Sequence, residues 1–310
     1  MLRLLLLLLT SAGATALISV LALSFFHRSG AFIKDELVVV QSSKRGTPVI
    51  GGAVFVLATL LTTLFDPLKV HPMVWLPTLA LTLFGLIGLF DDLIKQHLRS
   101  ADGLPSLVKL GMQTFAGIIV LVIAWQQGLI ATSLDLGFTT LTLGRWYYPF
   151  ALLLLLYFVN AVNITDGLDS LAAGSSLPLF LLVVATALNR ETPTSTALLG
   201  AVVIFLLFNI YPARYFMGDL GSHAIGAYIG ISALLLKAEL MLLFASGIFL
   251  VELASSLIQI ISIRRFGKKV FTIAPLHHAY ELKGVGETTI VRRFVLLSWV
   301  YGALSLLILW

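Results

Sequence analysis

No cysteine occurs anywhere in the 310 residues. A disulfide framework, a zinc–thiolate site and a thiol nucleophile are therefore excluded. Charge is scarce too, at 11% of residues, where a soluble domain carries about 25%. With 59% hydrophobic residues and a mean hydropathy of +1.02, no soluble surface can be covered. The chain is predicted to be an integral membrane protein. Strand-length alternation is missing apart from one short segment, which favours a helical bundle over a barrel. Internal repeats and low-complexity linkers are missing as well, so residues 1–310 read as one membrane domain. The net charge of +5 is a sum over two membrane faces, and no nucleic-acid partner is expected.

What is present is a series of apolar runs near the roughly 20 residues that cross a bilayer as helix. About ten spans are predicted, at 4–26, 49–65, 73–90, 107–127, 148–162, 174–189, 195–211, 222–237, 240–262 and 293–310. The first resembles a signal peptide, with one basic residue and small residues near Ala12-Gly13-Ala14. Its apolar run continues to Phe26, long enough to span, so it is read as a retained helix. If that helix runs inward, the inside loops hold Arg28, Lys34, Lys44, Arg45, Lys95, Arg99, Lys109 and Arg214. They also hold Arg264, Arg265, Lys268, Lys269, Lys283, Arg292 and Arg293. The outside keeps only Arg3, Lys69, Arg145, Arg190 and Lys237. The positive-inside rule then puts both termini outside. The one long outer connection carries Ser133–Gly144, whose central glycine and partial alternation predict a small periplasmic hairpin.

The same topology sorts the acids. Asp66, Asp135, Glu191 and Glu239 fall in outer connections, whereas the remaining acids gather inside, apart from Glu252. The stretch Tyr157–Gly174 spaces Asn160, Asn163, Asp166 and Asp169 three residues apart between two apolar runs. On a straight helix each such step drifts backwards by about 60°, fanning the side chains apart. Asp166-Gly167 is also a turn signal. A helix ending near Asn163 is expected, with a loop folding the later acids over one pocket for a cation and a polar or phosphorylated ligand. The competing reading is a capped turn with Asp166 or Asp169 as N-cap.

Other inner loops carry further clusters. Asp91 and Asp92 are adjacent carboxylates that need a nearby cation to stay ionised, and Lys95 shares their helix side. They mark either a Mg²⁺ or phosphate site or a solvated helix end. Lys109, one turn from Gln113, adds a cation suited to phosphate. Gly218, Asp219, Gly221 and Ser222 form a glycine turn before a helix, where free N–H groups attract anions. Asp219 there can ligate Mg²⁺, and Phe216 can stack on a base. His277 and His278, with Glu281, can hydrogen-bond a pyrophosphate or sugar or, less favoured, bind zinc. The Lys44–Gly52 loop, including Thr47, is a weaker candidate. His223 and Glu252 lie at membrane depth, as functional groups or as structural hydrogen bonds such as Glu252 to Gln259.

Taken together these motifs resemble the polyprenyl-phosphate N-acetylhexosamine-1-phosphate transferases. The matching stretches are Lys44-Arg45-Gly-Thr-Pro, Asp91-Asp92-Leu-Ile-Lys95, Asn160–Asp169, Phe216-Met-Gly-Asp219 and Pro275-Leu-His-His. The resemblance implies transfer of phospho-N-acetylmuramoyl-pentapeptide from UDP-MurNAc-pentapeptide to undecaprenyl phosphate, releasing UMP. Such an enzyme serves peptidoglycan synthesis from the bacterial inner membrane, with a cytoplasmic active site. It also implies Mg²⁺ on Asp219, a homodimer, and catalytic roles for Asp91, Asp92, Lys95, Lys109, His277 and His278. Asn160, Asn163, Asp166, Gly167, Asp169, Phe216 and Thr47 would contact substrate, with Asp166, Gly167 and Phe216 around the uridine. Ala279 and Ser170 depart from the family pattern of three histidines and Asp-Gly-Leu-Asp-Gly, and they bear on sugar-peptide specificity. A sister enzyme using UDP-N-acetylglucosamine is the near alternative. An ion-coupled transporter, favoured only by Glu252, is the remote one.

Overall fold

The computed structural model describes residues 2–25, 30–31, 35–67, 70–137, 139–187 and 193–309. Phe26, Arg28, Lys34, Lys69, Arg190 and Glu191 lie outside the described residues. The helices are α1 (Leu2–Phe25), a single turn α2 (Val38–Gln41), α3 (Gly51–Leu64), α4 (Pro72–Leu98) and α5 (Ser106–Gln126). Then come α6 (Tyr147–Thr165), α7 (Leu171–Ala187), α8 (Pro193–Asn209), α9 (Gly218–Leu236), α10 (Glu239–Ala245) and α11 (Gly247–Phe266). A short α12 (Leu276–Leu282) and α13 (Glu287–Leu309) complete the order. By length and composition seven helices can cross a membrane, while α3, α7 and α8 are shorter apolar helices. The chain is an all-α, multi-pass membrane protein.

Every predicted span coincides with an apolar helix, but several boundaries move. The third continues to Leu98, so Asp91, Asp92 and Lys95 sit inside a helix rather than after one. The helix expected to end near Asn163 runs to Thr165. The ninth span is divided at Ser246 into α10 and α11. The expected hairpin is present: β1 (Ser133–Asp135) pairs antiparallel with β2 (Thr140–Thr142), Leu134 opposite Leu141. Lys237, at the end of α9, donates to the carbonyls of Ala131 (2.9 Å) and Ser133, tying this hairpin to the bundle.

The hub is α9, buried along its whole length. It packs on α4 and α6 most extensively, then on α3 and α7. Its small residues permit this, because close backbone approach replaces the hydrophobic drive that lipid cannot supply between helices. Where α4 and α9 cross, Gly88 of α4 lies directly against the Asp219–Leu220 backbone. Helix packing thus delivers Asp219 to the acids of α4.

Candidate active site

Three helices, α4, α5 and α9, bring four charges into one cluster. On α4 the four-residue step places Lys95 Nζ 2.8 Å from Asp91 Oδ2. The same ammonium reaches Asp219 Oδ1 on α9 at 2.9 Å. From the first turn of α5, Lys109 Nζ approaches Asp219 Oδ2 at 2.8 Å and Asp91 Oδ2 at 3.0 Å. Asp91 is fully buried, and its other oxygen accepts the Leu104 N–H at 2.6 Å. Two carboxylates and two ammonium groups therefore alternate.

Asp92 does a different job. Its oxygens accept the N–H groups of Asp219 (3.1 Å) and Leu220 (3.0 Å), capping the start of α9. The N–H groups expected to be free for an anion are therefore taken by Asp92. This corrects the glycine-turn reading: Asp219 sits in the first turn of α9, and the helix end is satisfied from within the protein. Oxygens of Asp91, Asp92 and Asp219 all lie within 4.8 Å of one another. Such a set suits a hard cation that prefers oxygen ligands. Among the described residues it is the one group of this kind, and the paired histidines are not part of it.

A cavity of about 880 Å³ opens over this cluster. Its wall includes Asp92, Lys95, Lys109, Asn163, Asp166, Gly167, Asp169, Phe216, Asp219 and His278. Asn163 donates to Ser222 Oγ at 3.0 Å. Burial and the nearby Asp219 and Asp92 carboxylates hold the Asp166 carboxyl well above its usual range. Asp169 accepts from Lys44 Nζ at 2.7 Å and from the Ala213 N–H at 2.9 Å. Lys44 also pairs with Glu287 and stands 5.8 Å from the Phe216 ring centre.

Asp91, Asn160, Thr47 and His277 are not on that wall. Asn160 donates to Gln113 Oε1 (2.9 Å), Gln113 donates to His223 Nε2 (2.9 Å), and His223 Nδ1 meets the Asp219 carbonyl at 2.7 Å. Asn160 and His223 thus belong to a buried relay behind Asp219. Thr47 works through its backbone, with its carbonyl accepting the Ala31 N–H at 2.8 Å.

Both histidines sit on α12, with different surroundings. His278 on the cavity wall pairs with Glu281 at 2.7 Å, and Glu281 accepts from Gln41 at 3.0 Å. His277 is buried and pairs with Glu252 Oε2 at 2.9 Å. The expected Glu252–Gln259 bond is absent among the described residues: Gln259 holds the Val270 and Phe271 backbone instead. Gln41 is a wall residue that sequence reasoning missed, since a lone glutamine in a connecting segment carries no periodic or motif signal.

The family model described as glycosyl transferase family 4 matches residues 74–237. A phospho-N-acetylmuramoyl-pentapeptide-transferase of Bacillus cytotoxicus is 38% identical, with 97% of each chain covered. Its counterpart in a Thermoanaerobacter species is 39% identical over 89% of this chain and 88% of its own. That of Methylacidiphilum infernorum is 35% identical over 89% of this chain and 83% of its own. The chain belongs to glycosyl transferase family 4. The matched part of this family 4 chain holds Asp91, Asp92, Lys95, Lys109, the Asn160–Asp169 stretch and Asp219. His277 and His278 lie beyond it, in a region spanned by the Bacillus relative.

Burial pushes the His277 imidazole down to about 3 from 6.5. In the unfolded chain this group takes up a proton below about 6.5, whereas the folded protein refuses it. The folded state is therefore expected to lose up to about 1.4 kcal/mol per pH unit from this residue as pH falls below 6.5. Thermal midpoints at pH 7.5 and 5 check this: His277→Gln should shrink the acid-side drop.

Proposed function

We propose that the protein is a phospho-N-acetylmuramoyl-pentapeptide transferase. It moves the phospho-sugar from UDP-MurNAc-pentapeptide to undecaprenyl phosphate and releases UMP, as a step of peptidoglycan synthesis. The observation that carries this reading is the Asp91–Asp92–Asp219 group, with Lys95 and Lys109, on and behind the wall of one polar cavity. Phosphoryl transfer asks a protein chiefly for positioning and for neutralisation of oxygen charge.

The acceptor phosphate has a second pKa of about 6 and is already mostly a dianion at neutral pH. No strong base is required, which suits the engaged state of both aspartates on α4. Asp91 orients Lys95 and Lys109, whose ammonium groups face the cavity toward a pyrophosphate. Asp92 fixes the first turn of α9 and offers an oxygen at the wall. Asp219, Asp91 and Asp92 are the residues that would hold Mg²⁺. Bound there, the ion supplies positive charge to pyrophosphate oxygens. Asp166, Gly167, Asp169 and Phe216 form the side of the cavity assigned to the uridine end, with Lys44 ordering Asp169 and Phe216. His278, held by Glu281, faces the sugar-bearing part.

The cluster lies at the ends of α4 and α9 where the predicted inner loops gather. We place it on the cytoplasmic face of the inner membrane, in a ten-span, termini-out topology and a homodimeric assembly. Purified protein given undecaprenyl phosphate and Mg²⁺ should release UMP from UDP-MurNAc-pentapeptide and not from UDP-GlcNAc. Turnover of UDP-GlcNAc alone would move the protein to the sister activity, and turnover of neither by folded protein would sink the proposal.

A further inference from the structure

Glu252 plays no part in the chemistry above. It is nevertheless an ionisable residue inside a membrane-spanning helix, where such groups are costly. Its partner is His277, and both side chains are fully buried. An ionised Glu252 only accepts hydrogen bonds, and the imidazole then presents Nδ1–H to Glu252 Oε2, while Oε1 has no hydrogen-bond partner among the described residues. The tautomer of a histidine follows from the bond made by one nitrogen. Nε2 is then left with a bare lone pair, and among the described residues it has no hydrogen-bond partner.

That lone pair has a defined neighbour. A Cβ built on Gly167 would stand 2.2 Å from His277 Nε2 and 3.1 Å from His278 Cε1. A Cα hydrogen of Gly167 therefore points at Nε2, where a bare nitrogen accommodates it as a weak C–H contact. A proton on Nε2 would be driven into that same hydrogen. Gly167 and Asp166 are wall residues of the cavity, whereas His277 is behind the wall.

We propose that Glu252 is a positioning residue for the nucleotide-sugar donor: it fixes His277 as the Nδ1–H tautomer, and the bare Nε2 seats the Gly167 turn of the donor cavity. This inference rests on the proposed transferase reading for its kinetic consequence and not for its structural core. In Glu252→Leu the Nδ1 proton loses its acceptor and moves to Nε2. Crowding of the turn should raise the donor KM by about tenfold, in line with overpacking by a single atom. The acceptor KM and kcat should stay within about threefold, because neither phosphate ligand nor lysine is touched. Glu252→Gln should recover the donor KM, since its amide oxygen still accepts from Nδ1–H.

The test combines steady-state kinetics with ¹⁵N NMR of histidine-labelled protein, the His277 signal being assigned by its loss in His277→Gln. The expected wild-type signature is a protonated Nδ1 and an unprotonated Nε2, reversed in Glu252→Leu and restored in Glu252→Gln. An Nε2–H tautomer in the wild type overturns the proposal by itself, even if Glu252→Leu fails to fold. A reversed tautomer with an unchanged donor KM overturns it too, as does an equal loss in kcat and both KM values without reversal. If the wild type turns over no UDP-MurNAc-pentapeptide, the transferase reading fails, while the NMR result still decides the Glu252–His277–Gly167 link.

Discussion

Asp219→Ala should reduce UMP release by about a thousandfold, the scale seen when a group that stabilises transition-state charge is deleted. The expectation follows from how many contacts this one carboxylate makes. Oδ1 pairs with Lys95 at 2.9 Å and Oδ2 with Lys109 at 2.8 Å. Its removal leaves both ammonium groups converging on Asp91, at 2.8 and 3.0 Å, with Asp92 Oδ1 a more distant partner of Lys95 at 3.8 Å. The lysines then relax toward Asp91 and away from the substrate pyrophosphate. The trio of oxygens within 4.8 Å also becomes a pair, so the Mg²⁺ concentration for half-activity should rise as kcat falls. Asp219→Asn is the sharper variant, because it keeps the shape at the start of α9 and removes only the charge. UMP release against Mg²⁺ concentration reads both effects, with the thermal midpoint as the folding control. Residual activity within tenfold of wild type in folded Asp219→Asn would remove Asp219 from the centre of the reaction.

Some of this arrangement is legible from spacing alone. The four-residue step from Asp91 to Lys95 predicts an ion pair on one helix side, and the pair is present at 2.8 Å. Asp166-Gly167 reads as a turn and is one, just past the end of α6 at Thr165. Apolar run length likewise places the long helices, though not α2, α12 or the break between α10 and α11, and glycine with partial alternation places the hairpin. What remains hidden is which helix face meets which neighbour. Lipid is as apolar as leucine, so a bilayer helix need not carry the polar stripe that marks orientation in a soluble fold. Hence α9, with its glycines and serines, looks like any other span and is the buried hub. The relay from Asn160 through Gln113 and His223 to the Asp219 carbonyl joins α6, α5 and α9, and nothing local announces it. The pairing of Glu252 with His277 crosses 25 residues and is equally silent. Local chemistry is written in motifs, whereas its assembly depends on packing.

The dependence of chemistry on packing has its strongest expected result at Gly88, a residue with no polar atom in its side position. A methyl there would lie 2.1 Å from the Asp219 carbonyl oxygen, 2.3 Å from its carbon and 2.6 Å from the Leu220 nitrogen. All three atoms are backbone, so no rotamer can relieve the clash. Either α4 and α9 separate or α9 slides, and each motion carries Asp219 away from Lys95 and Lys109. Overpacking of a tight interior costs about 1–3 kcal/mol or more, and a misplacement of about 1 Å can cost roughly a hundredfold in rate. Gly88→Ala should therefore lower the thermal midpoint and cut UMP release by about a hundredfold, though Gly88 cannot itself touch a proton or a phosphate. Gly111→Ala in α5 is the matched comparison, because a methyl there meets nothing within 4 Å. Alanine is the better helix former by about 1 kcal/mol, so Gly111→Ala should hold or raise the midpoint and keep activity. Equal behaviour of the two variants would mean that the α4–α9 contact does not set the position of Asp219. A selective loss at Gly88 would show that the reacting cluster is built by the close crossing of α4 and α9.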